Sequence, residues 1–187
     1  MSNWSPVREL IAGSDFWAKF IRRAELDSTN SFIRRSSAMP PGTVVLASRQ
    51  KHGHGKGKRK WYSPEGGLWF SFLLDGLFAR TTPEFYVEVL NLIKSQLADN
   101  GVEARVSRPN DLVVGDKKIA GVLIEENEGK YIVGIGLNAN NSPSDMPDAV
   151  GRKSTSIRSV TGKKVDRPEF LREFLARFES SFQGRTG

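Results

Sequence analysis

Two periodicities organise the apolar positions of this chain. Val87, Leu90, Ile93 and Leu97 recur at helical spacing. Thr82 is a good N-cap, Pro83 suits the first helical position, and Gly101 falls just past the end. A second amphipathic helix opens at Pro168, with Phe170, Leu171, Phe174, Leu175 and Phe178 on one side. Pro6 to Ile11 reads as a short helix. Asp27-Ser28-Thr29-Asn30 offers capping side chains for another over Ser31 to Ser37. Between these lie runs of strand character: Phe20 to Leu26, Thr43 to Ser48, Leu68 to Leu74, Val102 to Ser107, Asp111 to Val114, Lys118 to Glu125 and Lys130 to Leu137. Pro40-Pro41-Gly42 and Tyr62 to Gly67 are turn chemistry, and Asn138 to Lys164 is polar and loop-rich.

Consecutive strands with hairpin-length turns predict a mixed or antiparallel sheet, with the helices packed on one face. That is an α+β fold, not a doubly wound one. A length of 187 residues with 38% hydrophobic content supports one core, and no repeat or linker divides the chain. No apolar run is long enough to span a bilayer, so no membrane partner is expected. The N-terminus shows no secretory pattern, and a cytoplasmic location is expected. Cysteine is absent, which excludes disulfides, thiolate catalysis and cysteine-ligated zinc.

Charge changes the picture at one place. The formal net charge is +7, and the six cations between Arg49 and Lys60 meet no acid there. The rest of the chain is close to neutral. Within that segment Gly53, Gly55 and Gly57 alternate with His52, His54, Lys56 and Lys58, followed by Arg59, Lys60 and Trp61. Glycines let backbone N–H groups approach phosphate oxygens, and the cations neutralise them. The composition predicts a phosphate-binding loop that orders with its ligand; a solvated basic loop is the plainer alternative. It is no P-loop, since Lys58 is followed by Arg59. His52 and His54 lack a neighbouring carboxylate or thiol and make a weak zinc site.

Other short motifs are individually ambiguous. Ser28-Thr29-Asn30 is either a helix cap or a polar anchor for a ligand with amide-like groups. Arg108-Pro-Asn-Asp111 is either a turn or a site segment. Lys117-Lys118-Ile-Ala-Gly121 is either a hairpin tip or a lysine delivered by a strand. Gly134-Ile-Gly136-Leu-Asn138 is a strand whose glycines admit close backbone approach.

In this order and spacing the set resembles the catalytic domain of biotin protein ligases. The similarity runs from Asp27-Ser-Thr-Asn30 through Gln50, Gly53 to Trp61, Pro109-Asn-Asp111, Lys118 to Gly121, Val133 to Asn138 and Thr155-Ser-Ile157. It implies a class II aminoacyl-tRNA synthetase-like biotin/lipoate ligase fold. It also implies two half-reactions: biotin and Mg-ATP give biotinyl-5′-adenylate, and a lysine of a biotin carboxyl carrier protein then takes the biotinyl group. By resemblance Ser28, Thr29, Asn30, Gln50, Gly53 and His54 would hold biotin. Lys118 would contact the biotin carboxylate and the adenylate, acting catalytically with Lys56 and Asp111. Lys56, Lys58 and Arg59 would hold phosphates, and Trp61, Asn110 and Asn138 would face the nucleotide. Asp111 is also the weak candidate for Mg²⁺.

Neither a winged-helix region before residue 20 nor an SH3-like barrel after the last helix is expected from the residues present. A single catalytic domain without a DNA partner is therefore expected, and the resemblance admits a homodimer through a strand edge. The rivals are a lipoate or octanoate ligase of the same superfamily, a ligase that turns over poorly, and a non-catalytic nucleic-acid-binding module. Against the last, no aromatic residue interrupts the loop cations for base stacking. The chain departs from the family pattern at His54, Lys56 and Lys58, where arginine or glycine is usual, and at Ser107-Arg108, where Lys-Trp is usual. Lysine cannot make the bidentate phosphate contact of arginine. The substituted loop therefore predicts looser retention of the adenylate. Single-turnover release of the intermediate should be faster than in an arginine-rich relative, and equal rates would refute this.

Overall fold

The computed structural model describes residues 2–36, 38–76, 83–107 and 109–182, with only the backbone of Lys58. Helix α1 (Ser5–Ala12) leads into strand β1 (Lys19–Leu26). The six-residue helix α2 (Thr29–Arg34) follows, and the side chain of Ser28 caps it by accepting from Ser31 N. Then come β2 (Thr43–Gln50), β3 (Leu68–Asp75) and the long helix α3 (Pro83–Asp99). Past α3, Gly101 takes φ 75°, and Val102 N returns to Leu97 O at 2.9 Å, closing the helix end. The Thr82 cap expected at its start, like Arg108 and Ser37, lies outside the described residues.

Four strands follow: β4 (Arg105–Ser107), β5 (Asp111–Val114), β6 (Lys117–Asn127) and β7 (Lys130–Leu137). Only the last three residues of the Val102 to Ser107 segment form a strand; Val102 itself is buried under the helices. The polar stretch after β7 holds two short helices, α4 (Asp148–Gly151) and α5 (Ile157–Thr161), before α6 (Arg167–Phe182) ends the described chain. Among the described residues no helix is long and apolar enough to cross a membrane.

The seven strands make one mixed sheet in the order β1-β2-β3-β7-β6-β5-β4. Every neighbouring pair is antiparallel except β1 and β2, which are parallel because α2 carries the chain across between them. Side chains alternate across the pleat, so the two faces differ. Val44, Leu46, Phe70, Phe72, Val133 and Ile135 point to the face covered by α1, α3 and α6. There Trp17, Phe72, Phe174 and Phe178 interlock, with Phe72 and Phe178 centroids 4.8 Å apart and Phe178 stacked on Phe182 at 4.4 Å. The buried Gln96 fastens α3 to α6 by donating from Nε2 to Phe170 O at 2.7 Å. The three longest helices thus share one face, as expected. Helix α2 takes the other, where Ile33 meets Val45, Leu73 and Ile132. The rest of that second face is left open for a site.

Phe178 packs against five aromatic neighbours, Phe16, Trp17, Phe72, Phe174 and Phe182, at the centre of the core. Phe178→Ala is expected to cost about 3–5 kcal/mol of unfolding free energy, measured by urea denaturation followed by circular dichroism.

Candidate functional site

The open face is hollow where β6 and β7 carry glycines. One row across the sheet reads Asp111, Gly121, Gly136, Trp69; the next reads Leu123, Gly134, Ser71. A Cβ on Gly136 would overlap the indole of Trp61, and one on Gly134 would overlap Asn30 Oδ1. A Cβ on Gly121 would come within 3.1 Å of the Lys118 side chain and of Trp61. These glycines are needed because other side chains lie directly on the backbone. Above the trough opens a cleft of about 190 Å³.

The polar end of the cleft is a linked set of short side chains. Gln50 Oε1 accepts from Thr29 N at 2.8 Å and lies 3.2 Å from Thr29 Oγ1. Gln50 Nε2 donates to Ser63 Oγ at 2.7 Å. Ser71 Oγ lies 2.6 Å from Thr29 Oγ1 and 2.5 Å from Asn30 Oδ1. Asn30 Nδ2 donates to Glu125 Oε2 at 2.8 Å. Ser28, Thr29 and Asn30 are all buried. Ser28 caps α2, and all three residues line the cleft.

Lys118 stands at the middle. Its Nζ is 2.7 Å from Asp111 Oδ1 and 4.7 Å from the centre of the Trp61 ring. Strict alternation from Gly121 would send Lys118 into the core. A bulge prevents this: Leu112 pairs with Ala120 but Val113 with Lys118, so Ile119 is extra and turns inward beside Ala120. The polar groups freed at the bulge are satisfied. Asn138 N donates to Ile119 O at 2.9 Å, Lys118 N donates to Lys153 O at 2.8 Å, and Thr155 N donates to Lys118 O at 2.9 Å.

The basic loop closes the other end. Its backbone folds back on itself, with Gly55 N donating to Arg59 O at 2.7 Å and Trp61 N to Gly53 O at 2.8 Å. Gly57 at the tip takes φ 67°, a conformation that suits glycine. His54, Lys56, Arg59 and Lys60 line the cleft. Lys51 and His52 do not; they turn outward to Glu25 and Asp27, at 2.8 and 3.4 Å. The loop charge is therefore divided, with Lys56, Arg59 and Lys60 on the cleft and Lys51 away from it.

Of the residues singled out in the sequence, Ser28, Thr29, Asn30, Gln50, His54, Lys56, Arg59, Trp61, Asn110 and Lys118 come together around the cleft. Asp111 joins through Lys118. Gly53 lies just behind, where a Cβ would meet Trp61 O at 2.7 Å. Asn138 lies outside the cleft lining: it is buried, receives Asn141 Nδ2 at 3.0 Å and braces the bulge. The Lys58 side chain is outside the described residues. Trp61 Nε1 and Asn110 Oδ1 are buried without a protein partner, although both residues line the cleft. Among the described residues no group of three or more metal-ligating side chains assembles, and the Asp111 carboxylate is engaged by Lys118. The histidines are likewise apart, His52 at Asp27 and His54 near Glu125.

Two participants escaped the sequence reading. Ser71 is a lone polar residue in an apolar strand, and Glu125 continues the face of Gly121 and Leu123 on β6. Alternation alone would have placed both on the site face.

The model of the biotin/lipoate A/B protein ligase family matches residues 21–140. A biotin protein ligase from Aquifex aeolicus, solved in complex with biotin and ATP, superimposes with a TM-score of 0.82 at 32% identity, covering 89% of this chain and 71% of that one. The bifunctional ligase/repressor BirA of Bacillus subtilis is 31% identical over 152 residues, 77% of this chain and 47% of its own. The biotin–[acetyl-CoA-carboxylase] ligase of Paracoccus denitrificans is 30% identical over 160 residues, 79% of this chain and 66% of its own. This chain thus spans about half the length of the Bacillus relative. A protein from T. acidophilum described as a putative lipoate protein ligase, 12% identical at a TM-score of 0.63, shares the fold. With a family match across more than half its length, the chain belongs to the biotin/lipoate A/B protein ligase family.

Proposed function

We propose that this protein activates biotin with ATP and transfers the biotinyl group to a lysine of a carrier protein. The observation that carries this reading is the position of Lys118, between a neutral polar pocket and a cationic rim. A small acid whose head is rich in amide-like groups suits the Thr29, Asn30 and Gln50 end. A triphosphate suits Lys56, Arg59 and Lys60. The two anionic ends would then meet at the lysine. The unpaired Trp61 Nε1 and Asn110 Oδ1 offer one donor and one acceptor to a nucleotide. The complex of the Aquifex aeolicus relative with biotin and ATP supports the same pair of ligands here.

The chemistry follows from charge. A carboxylate oxygen of biotin attacks the α-phosphorus of ATP, and the bond to the bridging oxygen breaks to release pyrophosphate. Two anions must approach each other, and negative charge gathers on the α-phosphate. The Lys118 ammonium has three donors, and its charge is paired with the Asp111 carboxylate. The Trp61 face holds the side chain from below. The ammonium donors are fixed before reaction, so they stabilise the developing charge without reorganising. The carrier amine then attacks the acyl carbon, and the C–O bond to AMP breaks. Asp111 acts here by holding Lys118. Among the described residues no set of side chains fits a protein-built Mg²⁺ site, and the ion is assigned to the triphosphate as part of the substrate. A cytoplasmic setting and a biotin carboxyl carrier protein as acceptor belong to the same proposal.

Lys118→Ala should lower biotin-dependent exchange of labelled pyrophosphate into ATP by about 10²–10³-fold with an unchanged circular dichroism spectrum. Near-normal exchange would remove Lys118 from the reaction. The unaltered protein should support exchange with biotin but not with lipoate or octanoate. Exchange only with the fatty acids would move the chain to the lipoate side of its family. No exchange with any acid would favour a binding role for the loop.

A further inference from the structure

Glu125 lies on β6 beside the polar end of the cleft, facing the same way as Gly121 and Leu123. Its Oε2 accepts from Asn30 Nδ2 at 2.8 Å, and its Oε1 pairs with Arg34 Nη2 of α2 at 2.7 Å. His54 Nε2 of the basic loop is 3.6 Å from Oε2. Burial pushes the Glu125 carboxyl up, but the bonds from Asn30 and Arg34 and the charges of Arg34 and His54 outweigh it. The group ends below the usual carboxylate range. At neutral pH it is ionised and can only accept hydrogen bonds.

That restriction propagates. The Asn30 amide must turn its nitrogen toward Glu125, which points Oδ1 at Ser71. Ser71 Oγ faces two acceptors, Asn30 Oδ1 and Thr29 Oγ1, with its single hydroxyl hydrogen, and Thr29 Oγ1 gives its own toward Gln50 Oε1. The amide already rests against the bare backbone of Gly134, where an added Cβ would overlap Oδ1, so it has no room to settle further toward the sheet. One N–H of Asn30 and one lone pair of Oδ1 stay uncommitted, in a residue that lines the cleft. A donor beside an acceptor in fixed order complements a cyclic urea, which presents C=O beside N–H.

We propose that Glu125 is a positioning residue that fixes the hydrogen-bond polarity of the polar end of the cleft and so selects a urea ring over an analogue of reversed polarity. This rests on the proposed use of biotin. A glutamine at 125 could face Asn30 with either its oxygen or its nitrogen, and the amide order would no longer be imposed. Arg34 reaches Glu125 from outside the cleft, so its removal leaves the Asn30 bond in place.

The test is calorimetric binding to the whole chain of biotin and of 2-iminobiotin, a cyclic guanidinium at neutral pH that presents donors where biotin presents its urea oxygen. The unaltered protein should bind biotin the more tightly. Glu125→Gln should weaken biotin about tenfold or more and 2-iminobiotin, which loses only the attraction of its charge to the carboxylate, by less, so that the ratio falls. Arg34→Ala should keep the ratio, whatever it does to both affinities. Equal losses for the two ligands in Glu125→Gln, an unchanged ratio, or the same fall in Arg34→Ala would each overturn the proposal. Failure of the unaltered protein to bind biotin would instead overturn the ligase reading on which it rests.

Discussion

The site depends on a place where side chains are missing. Gly121, Gly134 and Gly136 leave the outer face of β6 and β7 bare, and two large polar-tipped groups lie down in the gap. Trp61 carries the end of the basic loop with it, through its backbone bond to Gly53. Asn30 carries α2. Lys118 then rests over the Trp61 ring and reaches Asp111. Three separate segments of chain thus converge because a β-sheet can be hollowed without being broken. Its backbone ladder continues through the glycines even though the side-chain layer stops.

The opposite face keeps that hollow in shape. Glycine weakens a strand, and three of them in neighbouring strands would leave a flexible patch in an isolated sheet. Here the same strands bury Ala120, Val122, Ile124, Val133 and Ile135 on their other side, under α3 and α6. The interlocked aromatics and the Gln96 bond hold the helices to each other. Stability and recognition are thereby separated by the pleat: even positions of β6 serve the core, while odd positions beyond the bulge serve the cleft.

Much of this was legible in the sequence. The helical spacing from Val87 to Leu97, the phenylalanines after Pro168 and the β-branched strands mark elements by period alone, and they form as expected. The parallel pairing of β1 with β2 was not readable, because it follows from where α2 packs rather than from either strand. Val102 and Ala104 are buried on either side of the exposed Glu103 without strand pairing, and that alternation looks the same in sequence. In the site, clusters were visible and single residues were not. Ser28-Thr29-Asn30 and the basic loop announce themselves by composition. Glu125 and Ser71 matter only through which face they occupy and what lies across from them. Asn138 belonged to a visible motif, yet its backbone braces the bulge that turns Lys118 outward. A bulge obeys no period and leaves no mark in composition.

Helix α2 has only six residues, too few to persist without its neighbours. Its standing rests on the Ser28 cap, the burial of Ile33 and the bonds from Gln50, Ser71 and Glu125. Thr29, Asn30 and Arg34 therefore have no independent existence as site residues. When the turn opens, all three leave together, and when it closes they return as a unit. The polar end of the cleft is a small cooperative element with its own opening equilibrium, distinct from global unfolding. A ligand that binds only the closed turn gives up affinity in proportion to the time the turn is open, and its occupancy in return holds α2 closed.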